Sequence, residues 1–509
     1  MTDFAGLRSF LPIHPCAPAV TALARASLLL LAAGCVLASA TAAPAAASGT
    51  GPGSSFRNPV IPETAAGDDT PDPWIFRHAG RYWLTYTTAG HVEVRNARTL
   101  DGLASSTPKT LWPPAGQPEP ADRCCQVWAP EIHRLNGPNG PRWYVYYSAT
   151  SDAEGYTHGM YVLESTGSSP AGPYVFKGRL AVPQPYAIDA TVGEIRGRLY
   201  LLYAGGVSFT PTSILIAPLS DPWTVAGAPV AVSSPTLSWE TSFFAINEGP
   251  ELLLHGGKVN VIYSASWCGS GDYALGRATV PQRADLLDPA TWTGAKSPTP
   301  VFAGAPARGV YGPGHGSFFT SPDGRESWSV YHATEEKKGC FTGGLRTTRA
   351  QRFTWNADGT PDFGTPVSLG TDIAAPGGDG TIAVQAESAK AVRAASTRSE
   401  VVTDRRLFGY RGVALTPTGG AHALATMTVR VPRAGRYDVR VRVLAQPTAG
   451  TVTLRGPHGR PVNRSAVRAT ARAIDLDLGA FRLDAGPNAL RLRGTKAITV
   501  DQIRLQVTR

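Results

Sequence analysis

Charged side chains are scarce in this 509-residue chain, at 17%, and long apolar runs are scarcer still. Beyond Ala38 no stretch is long and apolar enough to span a bilayer as a helix. No long segment repeats apolar residues at helical spacing, which argues against an α-helical core. Cysteine is rare too. Cys16 and Cys35 lie near the N-terminus, leaving Cys124, Cys125, Cys268 and Cys340. Neither a CxxC pair nor a histidine cluster accompanies these four, so a structural zinc site is not expected. Tryptophan is absent after Trp355, although 11 precede it or stand there.

Glycine and proline are abundant instead, 55 and 43 residues, which suits many short strands joined by turns. The fold class is all-β. Residues 1–50 read as a leader: Arg25, an apolar run from Ala26 to Ala38, then small residues from Ser39 to Ser48. The run is short for a membrane anchor, so a secretory signal and an extracellular mature protein are expected. Four remaining cysteines in a secreted chain favour disulfides.

One pattern recurs five times. A polar residue sits in a Pro- or Gly-marked loop, and a Tyr ends a strand 14 to 16 residues later. The loops are Pro71-Asp72-Pro73, Ala129-Pro130-Glu131, Ile188-Asp189-Ala190, Asn247-Glu248-Gly249-Pro250 and Gly314-His315-Gly316. The marker tyrosines are Tyr86, Tyr147, Tyr203, Tyr263 and Tyr331, spaced by 61, 56, 60 and 68 residues. That period suits a four-stranded blade, so residues 51–370 are expected to form a five-bladed β-propeller. Radial stacking would bring four carboxylates and a histidine to one axis. Cys268 and Cys340 each follow a marker strand of neighbouring repeats and are the preferred pair. Cys124 and Cys125 are then a vicinal disulfide or two thiols.

Residues 371–381, rich in Gly and Pro, read as a linker, and 382–509 as a β-sandwich of jelly-roll type. From Ile382 onward there are 22 Lys or Arg against 8 Asp or Glu, or +14; the net charge of +10 leaves the remainder at −4. Nucleic acid is not the expected partner, because the arginines alternate along strands (Arg436, Arg440, Arg442) and aromatic residues are few. A wet sheet face is the simpler reading.

Three axial positions carry separable acid chemistry. Glycoside hydrolysis needs one ionised and one protonated carboxyl on opposite sides of a sugar. Asp72, between two prolines, suits the ionised role. Glu248, after Phe243-Phe244 and before Gly249-Pro250, suits the protonated one, because apolar walls raise a carboxyl pKa. Asp189 could orient Glu248 and raise that pKa further. Singly, each could be an ordinary turn residue; three at matched repeat positions point to catalysis.

The core from Arg57 to Leu369 resembles glycoside hydrolase family 43. The matching pieces include Asn58-Pro59-Val60, Asp72-Pro-Trp-Ile75, Trp128-Ala-Pro-Glu131, Ile188-Asp189-Ala-Thr191, Trp239-Glu240, Asn247-Glu248-Gly-Pro250 and Tyr311-Gly-Pro-Gly-His315. The set is most similar to the branch of exo-α-1,5-L-arabinofuranosidases. The resemblance implies an inverting five-bladed propeller with Asp72 as general base, Glu248 as general acid and Asp189 as pKa modulator and orienter. An inverting pair stands roughly 6.5–9.5 Å apart. It also implies that Arg346 reaches the sugar, that Trp128 walls the pocket, and that His315 lies beside a structural calcium; the chemistry itself needs no cofactor. Tyr186 departs from the Trp usual in that branch. The C-terminal part resembles carbohydrate-binding module families 6 and 35 through Gln385-Ala-Glu387, Ala434-Gly-Arg-Tyr437 and Asp501-Gln-Ile-Arg-Leu505, which implies Glu387 and Asp501 at a calcium.

The expected partner is arabinan or another arabinose-containing plant polysaccharide, and the expected state a monomer without nucleic acid or membrane. A β-xylosidase or endo-arabinanase would share the acid and base. A non-catalytic carbohydrate-binding propeller is the rival of another class.

Overall fold

The computed structural model describes residues 55–507 except 64–68, 115–119, 152–156, 338, 340–343, 388–391, 395–396, 419–421, 446–449, 458–460 and 468–471. The chain divides into Met1–Thr50 and Gly51–Arg509. The expected leader falls on the first unit, outside the described residues. No described helix is long and apolar enough to cross a membrane.

Five antiparallel sheets follow one another between Trp74 and Asp362. Their first strands are Trp74–His78, Cys125–Gly137, Tyr186–Ile195, Asn247–His255 and Tyr311–Thr320. Each first strand touches that of the next sheet, and the fifth touches the first, so the ring closes. Among the described residues, sheets one, two and five have four strands, sheet three has five and sheet four has three. The expected four-strand blade therefore fits three of the five.

Burial on both faces explains the aromatic runs. In Tyr144-Val145-Tyr146-Tyr147, Tyr144 and Tyr146 pack toward sheet three while Val145 and Tyr147 pack toward sheet one. A strand covered on both sides reads as continuous hydrophobicity rather than alternation. The same logic buries all five marker tyrosines, each in a core shared by two neighbouring sheets. Closure is reinforced by the chain ahead of sheet one. The Asn58 side chain exchanges two hydrogen bonds with the Ala350 backbone, and Val60 N–H donates to Thr348 O at 2.8 Å.

The segment between the two parts is tied down. Ile373–Ala374 pairs with Ser55–Phe56, and buried Asp379 accepts from Leu100 N–H at 3.2 Å. Beyond it, among the described residues, a six-stranded and a five-stranded antiparallel sheet share one core that includes Leu415, Met427, Val439, Val441, Leu490 and Ile503. Here one expectation fails. Arg436 and Arg440 are exposed, but Arg442 is only 2% exposed and Arg504 6%. Both turn toward the ring, where Arg442 Nη1 and Arg504 Nη2 donate to Ser105 Oγ at 2.7 and 3.1 Å.

Candidate active site

The polar residues expected in loops mostly sit inside first strands. Asp189, Glu248 with Gly249, and His315 lie where the pairing register breaks, as does the Trp128–Glu131 stretch; Asp72 lies just ahead of its strand. The backbone is left-handed at Asp72 (φ 54°), Asp189 (φ 60°), His315 (φ 33°) and Gly249 (φ 54°). A bulge breaks the in-and-out alternation and re-aims a side chain, at a backbone cost of about 1–3 kcal/mol for a non-glycine residue. Gly249 has a second reason to lack a side chain: a Cβ there would lie 2.8 Å from the His315 ring.

The result is a cavity of about 680 Å³ lined by Asp72, Asp189, Glu248, Trp128, His315 and Arg346. Asp72 is held from several sides. Burial would raise its pKa, but His315 Nδ1 at 3.3 Å and Arg346 Nη1 at 3.6 Å hold it well below the usual carboxylate range. Thr87 Oγ1 donates to its Oδ2 at 2.6 Å. Burial keeps the His332 ring neutral, its pKa pushed down to about 4, so Nδ1 accepts the Asp72 N–H at 3.2 Å. Glu248 is the opposite case. Burial and the neighbouring Asp189 charge push it up to about 7, against His315 and a 2.8 Å hydrogen bond from Tyr273 Oη. Asp189 is likewise raised to about 7 by burial and the Asp72 charge, and accepts from Gly249 N–H at 3.0 Å. Asp189 and Glu248 titrate as a pair that retains a proton up to near neutrality.

Several supporting residues escaped the sequence reading, yet they carry a signal. Four of the five marker tyrosines are followed by a polar residue: Thr87, Ser148, Ser264 and His332. Thr87 and His332 hold Asp72, Ser148 Oγ accepts from Asp189 N–H at 3.0 Å, and Ser264 Oγ accepts from His315 N–H at 2.8 Å. Ser148 and Ser264 thereby satisfy backbone groups that the bulges take out of the ladder. Asp69, 3.5 Å from Arg346 Nε, and Trp267 also line the cavity without having been foreseen.

Glu131 does not join the cavity, which corrects the expectation of four gathered carboxylates. Its side chain meets His133 Nε2 at 2.6 Å and accepts a hydrogen bond from the protonated Glu251 carboxyl, while Trp128 lines the cavity from that strand. Burial raises both glutamates well above their ordinary range, and the Glu131 charge raises Glu251 further. A raised acid stabilises the fold while protonated and loses that contribution as pH climbs through its folded-state pKa. Glu251→Gln keeps the donated hydrogen bond without the proton loss. In thermal melts it should exceed the wild type by about 2–4 °C near pH 9, with no gain near pH 5. A variant whose melting temperature falls with pH as steeply as the wild type's would contradict this assignment.

Cys124 and Cys125 form a vicinal disulfide beside Gln126 and the wall residue Trp128, which stacks on His158 at 3.8 Å. The expected Cys268–Cys340 bridge falls in part on Cys340, which lies outside the described residues. Among the described residues no group of three or more His, Cys, Asp or Glu is placed to hold a metal. Nδ1 of His315 faces the carboxylates of Asp72 and Asp189, while Glu387 and Asp501 are matched by Arg57 and Arg442. Carboxylates already neutralised by guanidinium are a poor calcium cage.

Comparison with known proteins agrees with this geometry. The chain is 40% identical over 329 residues to an extracellular exo-α-(1→5)-L-arabinofuranosidase of Streptomyces avermitilis, covering 63% of this chain and 65% of that one. The chain thus spans just under two thirds of that relative's length. An enzyme of the same name from Streptomyces chartreusis is 33% identical over 61% of this chain and 92% of its own. The crystal structure of an α-L-arabinofuranosidase from Lactobacillus brevis superposes with a TM-score of 0.55 at 35% identity, over 62% of this chain and 97% of that one. The family model described as glycosyl hydrolases family 43 matches residues 56–361, more than half of the 509. With its ring of five sheets, a five-bladed β-propeller, and three acids on one cavity, this chain belongs to glycosyl hydrolase family 43.

Proposed function

We propose that this protein is a secreted, inverting exo-α-L-arabinofuranosidase that releases arabinose from arabinan or arabinose-containing plant polysaccharide. One observation carries the reading: Asp72 and Glu248 line one cavity but are tuned in opposite directions. Asp72, ionised, takes a proton from water as its oxygen attacks the anomeric carbon. Glu248 gives its proton to the departing glycosidic oxygen, so both bonds change in one displacement. Asp189 keeps Glu248 protonated by its charge and, through its hydrogen bond from Gly249 N–H, holds the adjoining backbone. Arg346 and Trp128 supply a cation and an aromatic wall for the sugar. The names of the two Streptomyces relatives support the substrate class.

The C-terminal part is read as a β-sandwich of jelly-roll type, similar in architecture to carbohydrate-binding modules; its two sheets around one core support this. An extracellular monomer is the state that goes with this reading. Proton NMR of the first-formed anomer from a panel of arabinosides and xylosides tests substrate and stereochemistry together. The reading requires β-L-arabinose to appear first from α-arabinofuranosides. Early α-anomer, or release of xylose alone, would refute it.

A further inference from the structure

Glu248 does not stand alone on its wall. Tyr273, fully buried, donates from Oη to Glu248 Oε1 at 2.8 Å. It comes just before the strand Ala274–Pro281, the third of sheet four. The first strand of sheet five makes room for its ring, since a Cβ on Gly314 would lie 2.4 Å from it. The ring also lies nearly parallel to the His332 imidazole, at 3° and 5.5 Å between centroids. Tyr273 is therefore seated by two sheets, and its hydroxyl has little freedom.

The direction of its hydrogen bond is set by what stands behind it. Buried Ser264, paired across the ladder with Glu248, accepts the His315 N–H at 2.8 Å and gives its own proton to Tyr273 Oη. A hydroxyl has one proton to donate, so the tyrosine proton is the one left for Glu248. The chain from His315 through Ser264 and Tyr273 is polarised toward the carboxyl, each donor strengthened by the one behind it. Burial raises the Tyr273 pKa well above its ordinary value, so the phenol keeps its proton while the carboxyl titrates.

Resting on the function proposed above, we propose that Tyr273 is a positioning residue for the acid: it occupies Oε1 of Glu248, leaves the reactive proton on Oε2 and holds that oxygen toward the departing group. When Oε2–H passes its proton to the glycosidic oxygen, the electron pair of the broken C–O bond leaves with that oxygen, and Glu248 becomes a carboxylate. The hydrogen bond from Tyr273 strengthens as this charge forms, which favours the transition state over bound substrate.

Tyr273→Phe in the full chain removes one hydroxyl and keeps the ring against Gly314 and His332. The titratable groups that bear on Glu248 or Tyr273 (Asp72, Asp189, His315, Tyr186 and Cys268) all remain. On α-1,5-arabinotriose kcat should fall about tenfold with KM changed less than about twofold, the scale of one hydrogen bond to a charged group. On a dinitrophenyl arabinofuranoside, whose leaving group departs as the anion, the loss should be at least about fivefold smaller. The basic limb of the arabinotriose profile should move upward by about one pH unit, because the lost donor favoured the ionised carboxyl. Carbon-13 NMR titration of the Glu248 carboxyl, assigned with Glu248→Gln, should show the same upward displacement without substrate. Equal losses on the two compounds, or Glu248 titrating at the same pH in both proteins, would overturn the role of Tyr273. A wild-type protein that releases arabinose from neither compound defeats the enzymatic reading alone, and the NMR titration still decides whether Tyr273 holds the Glu248 carboxyl.

Discussion

Asp72→Asn should lower kcat/KM by about 10²–10⁴-fold, the range general-base assistance supplies, on every arabinoside tested. The loss should be uniform because the base acts on water, whichever group departs. Folding should survive. Asn tolerates left-handed backbone, so φ 54° at this position is not a barrier, and the hydrogen bond between the residue 72 N–H and His332 does not depend on the side chain. The measurement is kcat/KM for an aryl arabinoside and for arabinotriose, with circular dichroism as the fold control. Retention of more than about a tenth of wild-type activity in a folded variant would remove Asp72 from the base role.

Glu248→Gln should show a selective loss. On arabino-oligosaccharides, whose leaving alcohol must be protonated, the drop should again be about 10²–10⁴-fold. On a dinitrophenyl arabinofuranoside, whose leaving group departs as the anion, it should be at least tenfold smaller. The pH profile gives an independent check. Burial and Asp189 push Glu248 up to about 7, so wild-type kcat/KM on oligosaccharides should fall as pH rises through about 7, where the acid loses its proton. The same limb should flatten in the variant on the activated substrate. Asp72, held well below the usual carboxylate range, contributes no acid limb near neutrality. Equal losses on both leaving groups would show that Glu248 holds the sugar or the fold rather than donating the proton.

Much of the candidate site was legible in the sequence because a ring of repeats converts equal chain spacing into a common axis. Asp72, Asp189, Glu248 and His315 stand at matched repeat positions and share one cavity. Trp128 and Arg346 were reached only through motif resemblance, and they line the same cavity. Glu131 held the matched position as well, yet its strand turns it toward His133 and Glu251. Repeat position alone does not state which way a bulged strand aims a side chain, since one extra residue reverses the face. The residues after the marker tyrosines were open to view, but their function depends on bulges in a facing strand that no local pattern announces.

By itself the chain's amino-acid order determined the all-β class, the five-fold repeat and the three acids, since each follows from local turn chemistry and regular spacing. Only the tertiary structure decided which carboxyl holds its proton and which arginines are wet. Asp72 lies lower than Glu248 because His315 and Arg346, distant in the chain, crowd one and Asp189 the other. Arg440 is exposed while Arg442, two residues on, is buried against Ser105. Charge and burial are set by neighbours in space, and a propeller assembles those neighbours from all around its ring.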